Sequence, residues 1–187
     1  GKLQSLEENT IRTGSYKAKR GIASFRFYNG VEVVIEAPAE FQIESDLRMS
    51  LSQGRLSATV PPEGTGFTVE TPSAEVVDFG TEFAVEVAGD RSIEVHVFDG
   101  AVDVKPLGSA EVMPVRLVTN GATRIEYDSD VPMGIPLAPD RFLRTLEEPA
   151  LLYSTAVRAL SPIVRLRMGL KTLTKRSDVQ FVSPGGS

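Results

Sequence analysis

Few side chains in this chain have the type and spacing that chemistry requires. They are one histidine, His96, and five carboxylates close in sequence, Glu82, Glu86, Glu94, Asp99 and Asp103. A metal centre on a rolled β fold needs several imidazoles, and a single histidine does not supply them. A serine triad needs a base beside an exposed nucleophile, and no Gly-x-Ser-x-Gly turn is present. The phosphate-cradling patterns GxxxxGK[ST] and GxGxxG are both absent, and Gly64-Thr65-Gly66 reads as a plain loop. Glycoside hydrolysis uses two carboxylates, one of them raised in pKa by apolar surroundings. Glu82, Glu86, Glu94 and Asp103 instead alternate with apolar residues, as a solvated strand face does, and Asp99 sits at a turn. With no Trp and only four Tyr, little is available to stack a sugar ring. The sequence thus predicts no catalytic residue, no metal site and no cofactor. His96 lies between Val95 and Val97, which places it on the face away from the core, as a surface histidine.

The elements that would carry these residues are short β-strands. From about residue 20 to 128, apolar side chains recur with period two: Phe25, Phe27; Val31, Val33, Ile35; Phe41, Ile43; Phe67, Val69; Phe83, Val85, Val87; Ile93, Val95, Val97; Val102, Val104. Turn dipeptides separate them: Asn29-Gly30, Gln53-Gly54, Gly89-Asp90, Asp99-Gly100 and Asn120-Gly121. Gly30, Gly54, Gly80, Gly100 and Gly121 are spaced by 20 to 26 residues. That rough period suits stacked or rolled coils of similar size, and it also describes hairpins in a β-sandwich. The expected fold is mainly β, solenoid-like or a rolled antiparallel sheet, with the sandwich as second choice.

Composition sets the outer limits. The chain has 187 residues, 41% of them hydrophobic, enough for one domain with a tail or two small ones. It has no cysteine, so disulfides and thiolate metal sites are excluded. No run of about 18 apolar residues is present, so no segment reads as a spanning helix, and the start GKLQSLEENT does not read as a signal peptide. A membrane anchor, if the parent protein has one, is expected outside this segment. Residues 1–139 carry 12 basic and 21 acidic side chains, and residues 140–187 carry 8 and 4. The acidic body argues against nucleic acid as the partner.

Residues 1–128 are read as the β domain and 129–139, SDVPMGIPLAP, as a linker or wrapping segment. Residues 140–187 are read as a helical segment and basic tail that lead towards a further domain. Asp140 follows Pro139 and can cap a helix, on which Phe142, Leu143 and Leu146 share a stripe. Leu151, Leu152, Ala156, Val157 and Leu160 continue the pattern to Pro162. Five basic residues between Arg165 and Arg176 read as a solvated tail or an incomplete strand.

Residues 67–104 hold the most informative ordered set: Val69, Thr71, Pro72; Gly80, Thr81, Phe83, Val85; Val95, Val97, Asp99, Gly100, Val102. Upstream stand Asn29-Gly30 and Leu51-Ser52-Gln53-Gly54, and downstream Val118-Thr119-Asn120-Gly121. In this order they resemble the FecR family over roughly residues 1–128. A helical stretch, Arg141-Phe142-Leu143-Arg144, leading into Tyr153-Ser154-Thr155-Ala156-Val157 is similar to the form found in planctomycetes and related bacteria, where a laminin-G/concanavalin-like domain often follows. Residues 161–187 depart from that form. Thr71, Pro72, Gly80, Thr81, Phe83, Asp99 and Gly100 are expected to build the scaffold; no binding residue is identified.

The resemblance implies a single-pass inner-membrane regulator whose periplasmic part receives a signal, typically from a TonB-dependent outer-membrane transporter, and controls an extracytoplasmic-function sigma factor. It carries with it a link to iron-transport regulation. This chain would be the periplasmic part. The sigma factor would be reached only through a cytoplasmic segment, and the membrane only through an anchor, both outside this sequence. The alternative is an extracellular interaction or glycan-binding module in which the β body is a spacer.

Overall fold

The computed structural model describes residues 12–108, 112–145 and 165–167. Thirteen strands form one continuous sheet: β1 (Gly14–Ala18), β2 (Ile22–Arg26), β3 (Glu32–Ile43), β4 (Arg48–Thr59), β5 (Thr68–Glu70), β6 (Ala74–Asp78), β7 (Glu82–Val87), β8 (Ile93–Asp99), β9 (Ala101–Pro106), β10 (Val115–Val118), β11 (Ala122–Ile125), β12 (Met133–Gly134) and β13 (Arg165–Arg167). The chain is mainly β, and the sheet curls into a half-barrel, the rolled arrangement expected.

Its axis is the long β3–β4 hairpin, two strands of 12 residues each. One half of this hairpin extends through β2 and β13 on one side and β7, β8, β11 and β12 on the other. The other half extends through β1 on one side and β5, β6, β9 and β10 on the other. Only the β4–β5 pairing is parallel among the described strands; the rest are antiparallel. The two halves fold onto each other. Phe25 of β2 meets Phe41 of β3 with ring centroids 5.6 Å apart, and Phe27 meets Phe67 at 5.9 Å. Every apolar residue of the period-two series lies in the single buried cluster between them.

The bend sits where the register of β3 against β4 shifts, between Glu36 and Glu40. Opposite it, Gly54 has φ of +103°. A Cβ there would stand 2.6 Å from both the Ala39 Cβ and the Pro38 carbonyl oxygen. Gln53-Gly54 is therefore not the turn that its dipeptide suggests. It lies inside β4, where β3 approaches its backbone closely.

Of the four other periodic glycines, Gly30 closes the β2–β3 hairpin, while Gly80, Gly100 and Gly121 stand where the chain crosses between the two halves of the sheet, at the β6–β7, β8–β9 and β10–β11 connections. Residues 133–145 double back over the outer face of β7, β8 and β11. β12 pairs with β11, and the Ile135 N–H donates to the Ala122 carbonyl at 3.1 Å. The helix expected to start at Asp140 does not form at its start. Pro139–Arg141 is a single 3₁₀ turn, and Phe142 is already extended. Leu146, Leu151, Leu152, Ala156, Val157 and Leu160 lie outside the described residues. Of the basic run, Arg165–Arg167 forms β13 against the edge of β2.

Candidate functional site

The expected scaffold residues form two corners. Thr71 closes the β5–β6 turn: its hydroxyl donates to the Ala74 carbonyl at 2.7 Å and accepts from the Ala74 N–H at 2.9 Å. Pro72 and Thr71 line a shallow depression of about 290 Å³ with Ser50, Glu70 and Arg91. The second corner joins the β6–β7 and β8–β9 turns. The Thr81 hydroxyl donates to the Ala101 carbonyl at 2.6 Å and accepts from the Ala101 N–H at 3.2 Å. Gly100 lies against this contact with φ of +88°, and a Cβ would stand 2.6 Å from the Gly80 carbonyl oxygen. Its N–H donates to the Thr119 hydroxyl at 2.9 Å. Asp99 stands opposite Glu82 at the end of β8, and Phe83 is fully buried. Exchanging Thr81 for valine keeps the shape and removes both bonds. The expected cost is about 1–2 kcal/mol, read as a lower denaturant midpoint at an unchanged slope.

Asp78 belongs to this corner, and sequence reasoning missed it. It takes an inward position after Ala74 and Val76, and its carboxylate is fully buried. Oδ2 accepts the Gly80 N–H at 2.6 Å, while Oδ1 has no hydrogen-bond partner among the described residues. Burial raises its pKa above the usual carboxylate range, and bonds from Thr81 and nearby backbone N–H groups offset that only in part.

The expected carboxylate row is real in geometry and differs in chemistry. Glu82, Glu86 and Glu94 share the outer face of β7 and β8, with Glu86 directly opposite Glu94. Asp103 stands apart on β9, bound in two places by Arg116 at 2.7 and 2.9 Å. Two facing carboxylates repel unless a cation joins them. Arg141, on the returning segment, does so: it pairs with Glu86 and donates to Glu94 at 2.6 Å. Arg124 of β11 reaches the other Glu94 oxygen at 3.3 Å. Partial burial alone would raise the Glu94 pKa, but bonds from Arg141, His96 and Arg124 outweigh it and hold it below the normal value. A glycosidase acid needs the opposite shift. Arg144 pairs with Glu82 at 3.2 Å, and the Leu143 N–H donates to Glu36 at 2.9 Å.

His96 requires a correction. It does point away from the core, as alternation requires, yet it is 0% exposed. The returning segment covers it. Phe142 packs on its ring at 4.9 Å, and the Ala138 N–H donates to Nδ1 at 3.4 Å. Nδ1 is therefore an acceptor, the proton sits on Nε2, and Nε2 faces Glu94 at 3.3 Å. Burial lowers the histidine pKa; Glu94 and Glu86 act against this, and Arg141 adds to it.

A histidine held neutral in the fold contributes stability above the value it has when uncovered, 6.5, which is lost as pH falls through its lower folded value. Protonation would also place an N–H against the Ala138 N–H. Protection of the Ala138 and Leu143 amides, taken relative to the exchange rate of an unfolded chain at the same pH, is thus expected to fall as pH drops below about 6.5, with His96→Gln removing that dependence. Unchanged protection between about pH 7.5 and 5 would contradict it.

Among the described residues no group of three or more His, Cys, Asp or Glu is arranged to hold a metal ion. No described helix is long and apolar enough to cross a membrane.

A family model described as FecR protein matches residues 9–103. No curated protein matches the chain. Two crystal structures of a candidate anti-sigma factor from Parabacteroides distasonis, at 1.65 and 2.50 Å resolution, share its fold. The first is 20% identical with a TM-score of 0.55 and covers 66% of this chain; the second is 19% identical with a TM-score of 0.56 and covers 67%. The chain spans 60% and 61% of those chains.

Proposed function

This chain belongs to the FecR family, and from that premise we propose that it is the periplasmic sensory domain of an inner-membrane regulator that relays an envelope signal to an extracytoplasmic-function sigma factor. The observation that carries the reading is the family match over residues 9–103, which takes in both corners of the fold. The site geometry supports a non-catalytic role: Glu86 and Glu94 are joined by arginines, and His96 is covered. In this reading residues 1–128 are the family domain, 129–139 connect it, and 140–187 lead onward. Its partner is a protein of the envelope, such as a TonB-dependent transporter. The sigma factor is contacted by another part of the same regulator.

The location is open to a direct test, because residues 1–187 hold no cysteine and any elsewhere in the full-length protein can be exchanged for serine. A Ser45→Cys variant of the full-length protein places a thiol in the exposed β3–β4 loop; Ser57→Cys places one at a buried position as control. A membrane-impermeant maleimide added to cells with a permeabilised outer membrane is expected to label the first and spare the second. Labelling of Ser45→Cys only after lysis would place the domain in the cytoplasm and end the proposal.

A further inference from the structure

The segment that covers His96 is built like a bound peptide. Among the described residues, no backbone–backbone hydrogen bond joins residues 136–145 to the sheet. Each polar contact uses a side chain: Ala138 N–H to His96, Arg141 to Glu86 and Glu94, Leu143 N–H to Glu36, Arg144 to Glu82, and Arg55 to the Arg141 carbonyl at 2.9 Å. Phe142 is buried, yet it lies outside the continuous apolar cluster of the body. It sits instead on His96 at 4.9 Å and near Phe98 at 6.2 Å, on the outer face. Arg144 lies over the Phe98 ring at 4.7 Å. No residue of this segment belongs to the core cluster, and the surface beneath it is aromatic and acidic.

Removing the segment would leave Glu36, Glu82, Glu86 and Glu94 around two aromatic rings, with Arg55 and Arg124 as the nearby cations. Four carboxylates against two guanidiniums would attract a basic chain, and Phe98 and His96 would accept a ring. The strap supplies that complement in the order Arg141-Phe142-Leu143-Arg144.

We propose that the outer face of β7, β8 and β11 is a docking surface for an extended partner segment of Arg-aromatic-x-Arg chemistry, and that the chain's own residues 135–145 occupy it as an intramolecular stand-in. A tethered strap competes at an effective concentration in the millimolar range, so a partner must displace it. Its apparent affinity is reduced by the fraction of molecules in which the strap is closed. The inference does not depend on the relay to a sigma factor; it concerns only what this face binds.

The test uses the whole chain and a labelled peptide of the strap sequence, IPLAPDRFLRT, read by fluorescence anisotropy. In the double variant Arg141→Ser, Phe142→Ser the strap loses its grip while the surface stays intact. This variant is expected to bind the peptide at least about tenfold more tightly than the unaltered chain does. Adding Glu94→Gln should weaken that binding about tenfold, and a scrambled peptide should not bind. Circular dichroism checks that the β fold persists. Should the double variant unfold, Glu94→Gln in the otherwise unaltered chain is the second measurement: amide exchange at Ala138 and Leu143 should quicken. Equal peptide affinity in both chains, no saturable binding by the folded double variant, or binding of the scrambled peptide would overturn the proposal. So would a dimer formed by exchange of straps, which makes a second copy the occupant.

Discussion

Replacing Gly54 with alanine is expected to destabilise the domain by about 3 kcal/mol or more, a large share of the roughly 5–15 kcal/mol that holds a typical domain together. Two effects add. The backbone at φ of +103° is one that a side chain rarely adopts. The new Cβ would also stand 2.6 Å from the Ala39 Cβ and the Pro38 carbonyl, so β3 and β4 must move apart at their bend. Gly21 provides the control: its φ is +87°, but nothing lies within 4 Å of a Cβ built there. Gly21→Ala therefore carries the conformational cost alone. Denaturant unfolding should place Gly54→Ala well below Gly21→Ala. Equal midpoints for the two would show that the close approach at the bend is not what holds the two halves of the sheet together.

Phe83→Ala is expected to cost about 3–5 kcal/mol, the usual penalty for removing a buried ring. Phe83 is fully buried, opposite Ala58 of β4 and Val97 of β8. It is also part of the motif that carries the family resemblance, so the experiment asks what the motif is for. Glu82→Gln, one residue away on the outer face, should change stability by no more than about 0.5–1 kcal/mol, since it loses one partly exposed ion pair. A cost below about 1 kcal/mol for Phe83→Ala would mean that the motif does not build the scaffold.

Much of this scaffold was legible in the residues, because a half-buried strand leaves a signature of period two. Phe25 to Val104 of the apolar series all face the core. The turns at Asn29-Gly30 and Asp99-Gly100 were equally plain. Gly54 was misread because a glycine at a turn and one at a close approach look alike in sequence; only the position of Ala39, fifteen residues earlier, separates them. His96 was placed on the correct face but called exposed. Alternation says which way a side chain points and nothing about what later covers it. The cover is Ala138 and Phe142, more than forty residues on, the first in a linker with no period and the second on a stripe that reads as a helix. The helix expected from Asp140 had a cap and an apolar stripe, yet local propensity is a weak prior. Phe142 buries its ring on His96, and Arg141 and Arg144 reach separate carboxylates, from a backbone that is already extended at Phe142. Asp78 was missed because it occupies an inward position that the apolar pattern assigns to no polar residue.

The role proposed for this FecR-family domain is to convey an envelope signal without doing chemistry itself. Transcription from a sigma-dependent reporter in the native host, measured with and without stimulus, tests it most directly. The full-length regulator is compared with one lacking residues 14–128, both brought to equal levels in the membrane. The intact protein is expected to change output on stimulation, and the deletion to fix output at one level. A deletion that responded to the stimulus as the intact protein does would contradict it.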